Sequence, residues 1–420
     1  MMTTYRTYST IITGIGFTIQ ALGVGAYISF GVFFNPLMET FGWSRAAIAG
    51  ASSTAFFSMG LFGMLVGRLN DRFGPRPIMT VTALLMGLGW VLMGRLTNLW
   101  QLYLFFGLIF GVGISSVDVI ALTTIARWFS HRRGFMTGVV KVGTGAGQFL
   151  MPLVASGLTL HLGWRWSFIV IGAGVALVLG ILAQFLRRDP EAMGLKPPTG
   201  PAMDTHTGKS TAAGMPLALA LKSVQLWTLC LTNFALVFSL LSVMLHIVPH
   251  ARDLGLEPLK AAGILSTIGA VSMVGRFTSG IIIDRKGGKP VMMLSFLLLL
   301  GSLVWLQTAD RLWMLYAFAV VYGLAHGGFF TAISPLVAEW FGIVSHGTLF
   351  GIVVFFGTTG GSIGPLLAGY LYDVSGSYQS TFHIITGVAL LAWGLMALSK
   401  PVKDSGVRPH PRQSNTDIGR

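Results

Sequence analysis

The chain has 420 residues, of which 53% are hydrophobic and only 10% charged, with a mean hydropathy of +0.73. Soluble domains carry about 25% charged residues, so a water-soluble globular protein is ruled out, and a single cysteine, Cys230, rules out an intrachain disulfide and a cysteine-rich metal site. The net charge of +14 would suggest nucleic acid in a soluble chain; here it fits Lys- and Arg-rich loops on one face of a membrane, and no nucleic-acid partner is expected.

Apolar runs long enough to cross about 30 Å of hydrocarbon fall at 11–35, 46–67, 77–95, 100–126, 133–159 and 165–186. The first is too long for a signal-peptide core and has no small-residue cleavage site behind it, so it is expected to stay as a helix. The stretch 187–222 holds Pro190, Pro197, Pro198, Pro201 and Pro216 among Gly, Ser and Thr, and reads as a flexible linker. Six further runs follow at 223–248, 259–283, 290–308, 311–340, 347–371 and 379–399, and the polar tail 401–420 reads as disordered. The 55 glycines suit close-packed membrane helices. The predicted fold class is therefore an all-α membrane protein with twelve transmembrane helices in two bundles, 1–186 and 223–400.

Placing both termini in the cytoplasm puts 20 of the 28 Lys and Arg residues on that side. Only Arg45, Arg95, Arg165, Arg252, Lys260 and Arg311 then lie outside, and this asymmetry sets the expected orientation. Lys141 and Arg276 remain, inside helices.

The two bundles repeat at an offset of 213 residues. Gly67, Asp71, Arg72, Gly74 and Pro77 recur as Gly280, Asp284, Arg285, Gly287 and Pro290. Pro36 and Gly42 recur as Pro249 and Gly255, Gly134 and Gly138 as Gly347 and Gly351, and Pro152 as Pro365. One unbroken offset over six spans predicts two pseudo-symmetric halves of parallel topology, related by an axis along the membrane normal.

The segments GRLNDRFGPRP (Gly67 to Pro77) and GIIIDRKGGKP (Gly280 to Pro290) sit in equivalent short turns. Small residues let helices approach, the acid can bind a helix N-terminus or an Arg across the bundle, and glycine closes the turn. Asp71, Arg72, Asp284 and Arg285 are the candidates for conformational gating. The paired segments resemble the signature loops of the major facilitator superfamily, over essentially the whole chain. The segments YISFGVFFNPLMETFGWSR (Tyr27 to Arg45), ARWFSHRRGFMTGVV (Ala126 to Val140) and AEWFG (Ala338 to Gly342) resemble its monocarboxylate transporter and oxalate:formate antiporter branch. That resemblance implies a carrier of small organic acid anions, often with a proton, and an Arg in helix 8 that binds the carboxylate, matched by Arg276. The chain departs from the branch at three places. Ile28 and Ser272 stand where animal monocarboxylate transporters carry Lys and Asp, and Thr359 lies near the position of a second Lys in the oxalate exchanger.

Ionised groups at mid-bilayer cost at least about 2.5–3.5 kcal/mol each, so Asp118, Lys141 and Arg276 call for a reason. Each lies nine residues from an end of its span, at Arg127, Arg132 and Arg285 respectively. At 1.5 Å per residue all three share a depth of roughly 13–14 Å. Lys141 shares a helical stripe with Gly134, Gly138 and Gly145, and Arg276 one with Gly269, Ser272 and Gly280, so both cations face other helices. Asp118 and Lys141 lie at equal depth on neighbouring antiparallel helices. Two readings stay open for that pair, a permanent ion pair or a proton-coupling device. The three charges sum to +1 with Asp118 ionised and +2 with it protonated, which suits one carboxylate, or a dicarboxylate when a proton is taken up.

The expected function is secondary transport of a small monocarboxylate such as lactate, pyruvate or formate, with protons as partners. Arg276 would clamp the carboxylate, Lys141 take a second oxygen and Asp118 couple the cycle. Tyr27, Asn233 and His326 are further candidates for the substrate cavity. His246 has a weaker claim, and Glu39, Glu339 and Asp373 read as capping or gate contacts. Exchange of small dicarboxylates is the first alternative. A drug or metabolite exporter is a lesser alternative, because an exporter of lipophilic cations wants an acidic cavity and the sequence offers two buried cations against one acid; an enzyme wants clustered His, Asp or Glu, and a sensor wants a soluble output domain, neither of which the sequence offers. No cofactor or metal is expected, a monomer suffices, and the expected location is the plasma membrane, or the inner membrane of a bacterium. GTGAG (Gly143 to Gly147) and GTTGG (Gly357 to Gly361) follow no strand and lack a Walker lysine, so they are not phosphate loops.

Overall fold

A computed structural model describes residues 2–129, 132–195 and 214–400, and those residues are helical without a strand. The spans are α1 (Tyr5–Phe41), α2 (Arg45–Phe73), α3 (Pro75–Met93), α4 (Leu99–Trp128), α7 (Val224–Asp253), α8 (Pro258–Lys286), α9 (Gly288–Leu306), α10 (Leu312–Phe341), α11 (His346–Ser375) and α12 (Gln379–Leu398), with α5 and α6 together forming Arg133–Phe185. That long segment breaks at Gly163, where φ is 75° and ψ 163°, into 133–162 and 164–185. A left-handed φ is open to glycine and costly for other residues. Gly376, 213 residues on, takes φ 69° between α11 and α12. Twelve spans result, as the hydrophobic pattern predicts.

Two departures extend the predicted elements. The first helix begins well before residue 11, because Tyr5 and Tyr8 stack on Trp128 at ring distances of 6.1 and 5.5 Å. The Tyr5 hydroxyl also donates to the Trp128 carbonyl at 2.6 Å. The linker is ordered at both ends rather than flexible throughout. Glu191–Met193 form a 3₁₀ turn, Leu195 is buried, the Met215 amide donates to the Phe341 carbonyl at 2.9 Å, and Leu217–Ala220 form a helical turn. The middle of the predicted linker and the predicted disordered tail lie outside the described residues.

The halves join along two crossings, α2 with α11 and α5 with α8. Glycine makes both possible. A Cβ on Gly67 would stand 2.1 Å from the Gly347 carbonyl oxygen, and one on Gly280 2.7 Å from that of Gly134. These two contacts are copies of one another at the repeat offset. Higher in the same crossings, Gly351 rests on Gly63 and Gly138 on the Arg276 backbone. The closest approaches thus run from the end carrying the signature loops to about mid-membrane. At that end, called basic here for its Lys and Arg content, the halves are shut.

Candidate functional site

The three intramembrane charges converge. Lys141 on α5 donates to Asp118 Oδ1 on α4 at 2.5 Å. Gln20 on α1 donates its side-chain N–H to the same oxygen at 2.8 Å, and Thr144 on α5 donates to the Gln20 carbonyl oxygen at 2.8 Å. Gln20 is therefore held at both ends, and Asp118 Oδ1 is held from two helices. Arg276 crosses from α8 over the glycine stripe of α5, where its Nη1 donates to the Lys141 carbonyl at 3.2 Å. A Cβ on Gly145 would stand 3.6 Å from that same nitrogen, so the stripe leaves room for the guanidinium.

Burial separates the members of the cluster. Arg276 and Lys141 are 2% and 4% exposed, yet 31% of the Asp118 side chain is accessible. The carboxylate is thus the accessible member of a cluster whose cations are buried, above crossings that are shut at the basic end. Among the described residues Arg276 makes no ion pair, and its Nε is buried with no hydrogen-bond partner. A buried donor left unmade is costly, so the guanidinium is oriented for an acceptor.

His326 on α10 joins the group. Its charged neighbours are Arg276 and Lys141. Its ring lies 4.9 Å from that of Phe330, and the Lys141 ammonium lies 5.8 Å from the same ring. Its Nδ1 is also buried without a partner among the described residues. Phe330 thus forms an aromatic wall between an imidazole and an ammonium.

The other predicted cavity residues lie apart from this cluster. The Tyr27 hydroxyl accepts from Ser52 Oγ at 3.0 Å and donates to the Ser52 carbonyl at 3.3 Å, with its ring stacked 6.2 Å from Phe106. Asn233 donates to the Val353 carbonyl at 2.8 Å and fills the space over Gly357, tying α7 to α11. His246 bonds Tyr378 Oη and the carbonyl of Pro365 at 3.1 and 3.0 Å, inside the second half. Glu39 is exposed, and the Asp373 side chain lies outside the described set.

At the basic end the acids of the two signature loops act crosswise. Asp71 Oδ1 accepts from the Gly347 amide at 3.0 Å, and Oδ2 from the Thr348 amide and hydroxyl at 2.8 and 2.9 Å. Asp284 accepts from the Gly134 and Phe135 amides at 2.6 and 3.0 Å. Each acid caps the first turn of a helix in the other half, where amides have no partner within their own helix. The predicted cations do not take part. Arg72 is exposed beside the Phe73 ring, and Arg285 is exposed. Arg127 of α4 pairs with Asp71 at 2.6 Å instead. The corresponding tetrapeptide at the end of α10 carries Glu339, whose carboxylate accepts from the Gly288 amide at 3.0 Å and so caps α9.

Sequence reasoning missed Gln20, Thr144, Phe330 and Arg127. Gln20 is the sole amide side chain between Ile11 and Phe34, and Thr144 lies three residues beyond Lys141, so both carried a signal. Phe330 carried none, being one of 29 phenylalanines.

The family model described as Major Facilitator Superfamily matches residues 10–309 and 272–417. The chain belongs to the major facilitator superfamily. Among its members, monocarboxylate transporter 13 of Bos taurus is 30% identical over 389 residues, covering 91% of this chain and 87% of that protein. Monocarboxylate transporter 4 of Rattus norvegicus is 28% identical, covering 87% and 77%. The fold is shared with a solved proton:xylose symporter, XylE, at a TM-score of 0.76 and 16% identity, covering 93% of this chain and 96% of that one. The human organic anion transporter MFSD10 gives 0.72 and 18%, covering 92% and 99%. This superfamily protein is a multi-pass membrane transporter, not an enzyme, and it resembles the monocarboxylate carriers.

Proposed function

We propose that this transporter carries a small monocarboxylate, of the lactate, pyruvate or formate class, together with a proton. The observation that carries the reading is Arg276: a buried mid-membrane guanidinium that, among the described residues, has an unused Nε and no acid paired to it. A planar carboxylate matches the fork of Nε and a terminal nitrogen, and in a dry site such a bond is strong. The similarity to monocarboxylate transporters supports the same class.

In the proposed cycle the carboxylate enters from the end opposite the signature loops and binds Arg276. Lys141 turns from Asp118 toward the second substrate oxygen, and Asp118, the accessible member of the cluster, takes the proton. The loaded site then holds two cations, one anion and a neutral acid. Its net charge is +1, the same as the empty site with Asp118 ionised, so loading adds no charge to the reorientation. Release of the crosswise caps would let the halves rock. The two cations also suit exchange of a small dicarboxylate, provided that Asp118 stays protonated through the cycle, so that the site is +2 and exchange draws on no proton gradient.

Uptake of labelled lactate, pyruvate, formate, oxalate and malonate into proteoliposomes, with and without an inward proton gradient, tests both readings. Gradient-stimulated uptake of a monocarboxylate is expected. Oxalate or malonate entry that requires internal anion and ignores the gradient would favour exchange instead. Arg276→Gln is expected to lower uptake at least 100-fold with normal amounts of protein in the membrane, and unchanged uptake would remove the clamp. Asp118→Asn is expected to keep substrate exchange and lose gradient-driven accumulation. Accumulation at the wild-type level would leave Asp118 as a structural partner of Lys141.

A further inference from the structure

Two grooves open on the outer wall at the basic end. The larger, about 390 Å³, runs between α8 and α9 and is lined by Ile282, Arg285, Lys286, Pro290, Val291 and Leu294. The smaller, about 310 Å³, is lined by Arg76, Pro77, Thr80, Val81 and Gln184. They are partial copies, since Pro77 and Val81 stand at the repeat positions of Pro290 and Leu294. Their cations differ in one respect. Arg76 donates its Nε to Gln184 at 3.0 Å. Arg285 and Lys286 are exposed and make no ion pair with a described residue.

The acids nearest in sequence and space are already engaged. Asp284 turns inward onto the α5 amides, and Glu339 caps Gly288. Two free cations therefore sit at the membrane surface, at the head of a slot whose walls are apolar. Ile282 lies one turn below Arg285 and Lys286 on α8, while Leu294 lies one turn into α9 from Pro290 and is 46% exposed. A free anion would use only the cations; a molecule with an anionic head and a hydrocarbon tail would use the whole slot.

We propose that this groove binds an anionic phospholipid of the leaflet at the basic end. Its phosphate lies between Arg285 and Lys286, and the start of one acyl chain lies along Ile282, Val291 and Leu294. Arginine meets phosphate oxygens in a bidentate fork and lysine adds a point charge, and basic clusters beside transmembrane helices concentrate anionic lipid. On the orientation predicted from the Lys and Arg count this is the cytoplasmic leaflet, where anionic lipid is enriched. The proposal does not depend on the transported substrate.

Native mass spectrometry of the full chain, titrated in detergent with dioleoylphosphatidylglycerol or dioleoylphosphatidylcholine, tests it. The wild type is expected to retain the anionic lipid at least fivefold better. The double variant Arg285→Gln, Lys286→Gln is expected to bring that ratio near one. Leu294→Trp, which fills the slot and leaves both charges, is expected to lower anionic-lipid retention severalfold and serves if the double variant does not fold. Equal retention of the two lipids by the wild type would overturn the proposal. So would a preference that survives in a double variant eluting as a single wild-type-like peak. Displacement of the lipid by millimolar inorganic phosphate would assign the cations to a soluble anion and overturn it as well.

Discussion

Arg276 and Lys141 are both buried cations, but they differ in what they leave unspent. Lys141 has Asp118 at 2.5 Å, while Arg276 has a backbone carbonyl and an unmatched Nε. The guanidinium is thus the group with something to gain from a ligand. Arg276→Lys keeps the charge but loses the fork, so it is expected to raise the substrate concentration for half-maximal uptake at least tenfold; an unchanged value would show that charge alone suffices. Lys141→Met leaves the Asp118 carboxylate with Gln20 as its remaining side-chain partner. Breaking a fully buried pair costs about 3–5 kcal/mol. With 31% of the Asp118 side chain accessible, roughly 2 kcal/mol is the better expectation once solvent screening is allowed for. Thermal melting in detergent should show the loss, and adding Asp118→Asn should recover most of it. A double variant as unstable as the sum of the singles would mean the two residues act separately. The three charges were readable from sequence because an ionised residue in an apolar run stands out. The hydrogen bonds that orient them were not, because they depend on which face of α1 meets α4 and α5.

The helices show the same division between local and tertiary signals. The break between α5 and α6 was legible as the gap between the apolar runs 133–159 and 165–186, while its seat at Gly163, paired with Gly376 by positive φ, came from the structure. The early start of α1 and the ordered ends of the linker were not. They rest on Tyr5 against Trp128 and Met215 against Phe341, contacts between residues far apart in the chain that no local periodicity reports. The closing contacts were half legible: the acids of the signature loops do cap helices, but the cation comes from Arg127 on α4 rather than from Arg72. Glycine at the crossings makes a direct prediction. A methyl at position 67 would press on the Gly347 carbonyl, and overpacking of this kind costs about 1–3 kcal/mol. Gly67→Ala is therefore expected to hold the basic end ajar. A cysteine placed at Thr348 of that variant should react with a water-soluble maleimide from the basic side at least tenfold faster than in the parent. Equal rates would show that the crossing adjusts without opening. Cys230 is fully buried and adds little background.

Across the whole molecule, the symmetric positions build the scaffold and the asymmetric ones build the buried charge cluster. The repeat counterparts of Lys141 and Arg276 are Val354 and Gly63, and that of Asp118, in the register set by the matching ARWF and AEWF tetrapeptides, is Phe330. All three charges thus stand where the other half carries none. The closing contacts, by contrast, come in matched pairs, and this couples them. The amides of Gly134 and Phe135 and of Gly347 and Thr348 open their helices, so their protection from hydrogen exchange rests on Asp284 and Asp71. Charge-assisted bonds of this type contribute about 1.5–3 kcal/mol each. Asp284→Asn is expected to speed exchange at Gly134 and Phe135 at least tenfold, and to speed it at Gly347 and Thr348 in parallel, because both caps part in one motion. Faster exchange confined to the mutated side would mean that the halves yield locally.

The crosswise caps have a further consequence. Each half offers an acid and an uncapped helix start, and each takes the complementary group from the other. That is the pattern of a self-complementary contact between two identical subunits. A protein of half this length, bearing one signature loop, would meet every need of its closing surface by dimerising with its own copy. Gene duplication and fusion would preserve that seal from the first generation, leaving the interior free to become unequal.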